Sequence, residues 1–218
     1  WLKEGILVRE ERPAAYIVEH RFPYQDTTKH RLGLLARVRL EELDNNGPIR
    51  PHERTTKEPA VDRLNLLRAC RANFSPIMGL VRTKKGDMVK LLRGLVKREP
   101  DFSATDSYGV NYRVWMITDE TDLQKLSQLF VDRIIYIADG HHRYETALRY
   151  RDEQRSAQNA RTGEETFNFV MMSLMDSHDP GLVMLPTHRL VKGLEPAKLA
   201  QLGQALSPYF SMDSLLPS

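Results

Sequence analysis

Asp139, Gly140, His141, His142 and Arg143 stand in an unbroken row. These residue types, side by side, can gather negative charge and pass a proton. Glycine lets a ligand come close to the backbone. Arginine offers a fork of donors to phosphate. Histidine exchanges a proton near neutral pH. The chemistry depends on what precedes and follows the row. Before it, Ile134-Ile-Tyr-Ile-Ala138 is an apolar run rich in β-branched residues, which predicts a buried strand. After it, Tyr144, Ala147, Leu148 and Tyr150 recur at helical spacing, and Asp139-Gly140 suits a sharp turn. A strand that turns directly into a helix aims the first N–H groups and the positive end of the helix dipole at one point. That point attracts phosphate. Asp139 would serve equally as an ordinary N-cap of a surface helix. Two adjacent histidines are uncommon at a plain cap and favour a ligand.

Two further clusters have usable side chains. In Pro51-His52-Glu53-Arg54-Thr55 either His52 or Glu53 could act as a general base, although a charged loop after the Gly47-Pro48 turn explains the same residues. Pro186-Thr187-His188-Arg189 follows an apolar run, and His188 and Arg189 could add charge to an anion site or form a solvated strand end. His52, His141, His142, His188 and Asp139 are metal-ligand types. However, no zinc signature with fixed spacing is present, and adjacent histidines on a helix do not face one ion. A magnesium ion held by ligand phosphates and by Asp139 fits better. The glycine-rich phosphate loop, the dinucleotide fingerprint and the nucleophile elbow are all missing from the sequence.

The remaining elements must position these clusters. Ala14–His20 and Gly33–Leu40 read as strands joined by a polar link at Tyr24–His30. A helix opens at Pro59 and ends at Asn73–Pro76. Ile77–Val81 is a strand and Asp87–Lys97 an amphipathic helix. Pro100–Gly109 reads as a loop, Tyr112–Thr118 as a strand, and Asp119–Phe130 as a helix with acids in its first turn. Phe167–Met175 is a continuous apolar run and so an interior strand. Pro196–Leu206 is a closing helix. The intermixed order predicts an α+β fold, a mixed sheet with flanking helices. The whole of 1–218 is expected to form one compact unit, with Pro100–Gly109 the one place where it could divide.

At 218 residues, with 41% hydrophobic and 28% charged residues, the chain can bury a core. No apolar stretch is long enough to span a bilayer. The net charge of +3 is small and the signs are interspersed, which argues against a nucleic-acid face. The single cysteine, Cys70, rules out an internal disulfide. It sits among leucines in the helix after Pro59, which predicts a buried, inert thiol. Cytoplasmic location is the default expectation.

The run from Ile137 to Leu148 closely resembles the signature of a bacterial and archaeal family, the "domain of unknown function ten-fifteen". Other segments resemble it in the same order: Gly5-Ile-Leu7, Ile49-x-Pro-His-Glu-x-Thr55, Asp62-Arg-Leu64, Asn73-x-Ser-Pro-Ile77, Pro180-Gly-Leu182 and Leu185-Pro-Thr-His-Arg-Leu190. Members of that family are longer at both ends, so the resemblance implies an internal fragment. It also implies kinship with the ParB/sulfiredoxin-like superfamily, with that superfamily's core built around the strand–turn–helix at 134–155. There a Gly-x-x-Arg or Gly-x-His-Arg turn holds nucleotide phosphates, which implicates Gly140, His141, His142 and Arg143. The preceding aspartate resembles the pattern of an ADP-dependent free-serine kinase and implicates Asp139. Histidines replace the catalytic cysteine of sulfiredoxins, and no DNA-binding helix-turn-helix is evident, so neither of those activities is implied.

The expectation is then a nucleotide-dependent phosphotransferase acting on a small metabolite such as serine, using ADP or ATP with Mg²⁺. Gly140, His141, Arg143, His188 and Arg189 would hold phosphate. Asp139, His142, His52 and Glu53 would carry the chemistry. Two alternatives stay open: a phosphatase using the same parts, and a regulatory module that binds a nucleotide or nucleic acid without catalysis.

Overall fold

The computed structural model describes residues 1–53, 60–157, 162–185 and 190–211. Strand β1 (Ala15–Tyr24) runs into β2 (Thr27–Arg39) through a two-residue turn, with Gln25 at φ 52°. The expected polar link is therefore mostly strand. β1 alternates inward residues such as Ala15 and Ile17 with more open ones, the period of a half-buried strand. The two-residue β3 (Ile49–Arg50) follows the Asp44–Pro48 turn. Helix α1 (Ala60–Cys70), β4 (Ile77–Val81), α2 (Asp87–Leu95), β5 (Phe102–Thr105), β6 (Asn111–Ile117) and α3 (Glu120–Leu129) come next. The chain continues through β7 (Ile135–Asp139), α4 (His141–Ala157), β8 (Phe169–Asp176) and α5 (Pro196–Leu206).

All eight strands form one mixed sheet in the order β3-β7-β4-β8-β2-β1-β6-β5. The protein is α+β, with five α-helices among the described residues. The first compact unit spans Trp1–Val183 and holds the whole sheet, with the 100–109 segment inside it; the second, Met184–Ser218, contains α5, which opens on Pro196.

Two further expectations are corrected. Phe102–Thr105 is not loop but the edge strand β5, paired antiparallel with β6 through Ala104↔Tyr112 and exposed along its length. Cys70 is exposed rather than buried. It is the last residue of α1, and the chain turns away at once through Arg71, at φ 52°.

The core gathers Ile17, Leu34, Ile77, Val81, Leu92, Trp115, Ile137 and Met172. Ile135 and Ile137 point inward from β7, with Ile137 wholly buried. Helix α4 packs on α1 and reaches β4 and β8. Tyr144, also wholly buried, fastens α4 to the end of β2. Its hydroxyl donates to the Glu41 carbonyl at 2.8 Å and accepts from the Glu41 N–H at 2.9 Å. Burial pushes the Tyr144 phenol up to about 12, so it stays a donor at any ordinary pH. Arg151, one further stretch along α4, pairs with Glu42 and reaches the Leu40 carbonyl at 3.3 Å. The helix that starts at the candidate site is thus fixed at two points along its length.

Candidate functional site

The site exists because of how β7 is flanked. On one side β3 runs parallel to it, with Ile49 opposite Ile135 and Arg50 opposite Tyr136. Parallel strands end on the same side, so the chain leaving β3 passes the corner where β7 becomes α4. Pro51 has no N–H to extend the ladder. His52 and Glu53 therefore leave the sheet beside that corner. On the other side β4 runs antiparallel, with Met78 opposite Asp139 and a register shift between Met78 and Gly79. The segment entering β4, from Asn73 to Pro76, flanks the same corner.

The corner is Gly140, at φ +95°. A side chain is strained there, and a Cβ would come within 2.8 Å of the Arg143 Nη2. Both the Arg143 and the Tyr144 N–H groups return to the Gly140 carbonyl, at 2.9 and 3.0 Å. The N–H groups of His141 and His142 precede the first helical bond, where an N-terminus offers donors to an anion.

Successive helix residues diverge by about 100°, so the three basic side chains part. Arg143 folds back over Gly140. Its Nη2 donates to Asp139 Oδ2 and its Nη1 to the Pro76 carbonyl, each at 2.5 Å. His141 turns the other way and is buried. Its Nε2 accepts the His52 N–H at 3.3 Å, which leaves the ring proton on Nδ1. That atom lies 2.9 Å from Glu53 Oε1. The carboxylate sits off the line of the ring N–H, so this is a close approach of a carboxylate to the ring and not a formed hydrogen bond. Burial holds His141 below the usual histidine range, against the opposing pull of Glu53, and the ring is neutral. The imidazoles of His52 and His141 meet edge to face, with centroids 4.5 Å apart. His52 Nδ1 donates to the Ile137 carbonyl at 2.6 Å, so in the neutral ring the lone pair is on Nε2.

The model of the family described as "Protein of unknown function (DUF1015)" matches residues 1–217. The chain belongs to that family. No curated protein and no solved structure matches it.

In this DUF1015 member the first two sequence clusters, 86 or more residues apart along the chain, meet at one corner: Asp139, Gly140, His141, His142 and Arg143 with His52 and Glu53. Glu53 and Asp139 are exposed and open to a ligand. The Nδ1 of His142 is buried with no hydrogen-bond partner among the described residues. His188 and Arg189 lie outside the described residues.

Sequence reasoning assigned no role to the residues beside Arg143. Asp62, Arg63, Asn73, Ser75, Phe74 and Thr146 line a cleft of about 320 Å³ bordered by Arg143. Its walls mix apolar surface from Leu66 and Leu67 with carboxylate, amide and hydroxyl groups. The signal that could have found it was present: Asp62-Arg-Leu64 and Asn73-x-Ser-Pro-Ile77 are among the segments that carry the family resemblance. Among the described residues no helix is long and apolar enough to cross a membrane.

Proposed function

We propose that the protein is a nucleotide-dependent phosphotransferase acting on a small hydroxyl-bearing metabolite such as serine. The observation that carries the reading is the meeting of the Glu53 carboxylate with the first turn of α4, 2.9 Å from the His141 ring. An accessible base and an anion-attracting helix start then share one corner. The N–H groups of His141 and His142 hold the transferred phosphoryl group, and Arg143 neutralises its charge. Glu53 takes the proton of the acceptor hydroxyl, with His52 Nε2 as the neighbouring acceptor. Asp139 is exposed, and its Oδ2 already pairs with Arg143. A single outward carboxylate of this kind fits a magnesium ion held mainly by phosphates, which would supply charge neutralisation between them. The cleft beside Arg143 takes the nucleoside of ADP or ATP. Its volume falls at the small end of ligand pockets, about 300–1,000 Å³. Asp62 suits a ribose diol, and the exposed Phe74 offers a face to the base. The strand–turn–helix fits the ParB/sulfiredoxin-like core that the resemblance implies.

The test is to mix the protein with Mg²⁺, serine and ATP or ADP and to look for phosphoserine. Turnover that falls by about a hundredfold or more in Glu53→Gln, the usual weight of a general base, supports the reading. The absence of both phosphoserine and nucleotide consumption overturns it. Release of inorganic phosphate alone replaces the kinase by a hydrolase.

A further inference from the structure

We infer that His52, Glu53 and His141 form a binding site for a divalent transition-metal ion of the zinc class. Each residue places one ligand atom within 4.8 Å of the other two. Two imidazole nitrogens and one carboxylate oxygen are a donor set found in zinc sites that keep an open position. The same set suits magnesium poorly, since that ion takes oxygen ligands and keeps its water.

Chance groupings of exposed acids are common, and a second observation separates this cluster from them. The His141 side chain is only 1% exposed, and its Nδ1 lies 2.9 Å from Glu53 Oε1. Yet Nδ1 makes no directed hydrogen bond among the described residues. A buried ring nitrogen faces a carboxylate off the line that a proton would take, and an ion seated between them satisfies both. His52 is already oriented as a ligand. Its Nδ1–H is fixed on the Ile137 carbonyl at 2.6 Å, the kind of backbone anchor that leaves the other nitrogen free to bind metal. Glu53 is 56% exposed and can adjust to the ion, which also gives the site an entrance.

The proton bookkeeping closes. Without an ion the His141 ring proton rests on Nδ1, because Nε2 accepts the His52 N–H at 3.3 Å. As the ion enters, the Nδ1–H bond breaks, Nε2–H forms, and the Nδ1 lone pair goes to the metal. The long contact to the His52 N–H opens, and the ring stays neutral throughout.

Protein atoms alone hold the ion, so the inference stands apart from phosphoryl transfer. Where both hold, the ion and the acceptor hydroxyl compete for Glu53, and Zn²⁺ inhibits the transfer. The experiment uses tag-free, chelator-stripped protein, with Co²⁺ as a coloured probe and Zn²⁺ as competitor. One Co²⁺ per chain, with visible bands that Zn²⁺ removes and excess Mg²⁺ does not, is the expected result. Glu53→Gln and His52→Ala, both at exposed positions, each weaken binding at least about tenfold, since even outer-shell partners are worth that much. His141→Gln does the same, with a thermal melt reading its folding separately. Substoichiometric binding, affinity unchanged in Glu53→Gln and His52→Ala, or displacement by Mg²⁺ overturns the inference.

Discussion

Arg143 donates to the backbone carbonyl of Pro76 at 2.5 Å, although the two residues are 67 positions apart. This bond ties the first turn of α4 to the segment entering β4, while the same guanidinium holds Asp139 at 2.5 Å. A lysine has one nitrogen and no planar fork, so it cannot reproduce both contacts in this geometry. Arg143→Lys is expected to weaken Mg-ADP binding by about tenfold or more, the worth of a lost charge-assisted hydrogen bond. Titration calorimetry reads the affinity, and equal affinity in the two proteins would remove Arg143 from the phosphate site.

Gly140→Ala tests the corner itself. The residue sits at φ +95°, and the new Cβ would press on the Arg143 guanidinium at 2.8 Å. Strain of this type costs about 1–3 kcal/mol. The guanidinium is a movable end, so the protein should fold, with a lowered melting temperature and impaired nucleotide binding. A melt and an affinity both like wild type would show that the turn tolerates a side chain.

Gly181→Ala probes the fold far from the corner. A Cβ there would lie 1.9 Å from the His30 carbonyl oxygen. The obstacle is backbone, which cannot swing aside. Asp179 accepts the Leu32 N–H at 3.0 Å in the same contact, so the 179–181 turn is pinned to β2. Loss of about 2–3 kcal/mol, the upper range for overpacking, is expected in denaturant unfolding. A difference under about 0.5 kcal/mol, the ordinary surface value, would contradict this packing.

His20 gives the stability a pH dependence. Burial, with Arg31 beside it, lowers its pKa from 6.5 to about 4. Arg31 Nη2 donates to its Nδ1 at 2.6 Å, and Tyr112 meets the ring edge on at 4.9 Å. The folded protein thus holds His20 neutral while the unfolded chain binds a proton below about pH 6.5. The stability linked to this group is present above that pH and is lost as pH falls through about 4. The melting temperature of the wild type should drop more steeply between these limits than that of His20→Gln. Parallel curves would show that His20 does not contribute.

Much of the architecture can be read from local pattern. The apolar run of β7 and the helical period of α4 are each local, so the strand, turn and helix at 135–157 follow from the residues themselves. Helices α2, α3 and α5 follow in the same way. The meeting of His52 and Glu53 with His141 is of another kind. It depends on β3, two residues long, pairing parallel with a strand some 86 positions later through Ile49 and Ile135. No periodicity announces so short a strand, and His52-Glu53 reads as a charged loop. Strand β5 escaped notice because all four of its residues are exposed at an edge, with no buried face to impose alternation. The cleft beside Arg143 draws on α1, the segment before β4 and α4, and only their packing makes it a pocket.

In the proposed function the first turn of α4 holds the phosphates of a nucleotide. The most direct measurement is a crystal structure grown with ADP and Mg²⁺. A terminal phosphate should lie within hydrogen-bond distance, about 3 Å, of the His141 and His142 N–H groups, with the nucleoside in the cleft between Asp62 and Ser75. Well-ordered ADP bound elsewhere on the molecule, with that turn in contact with solvent alone, would contradict it.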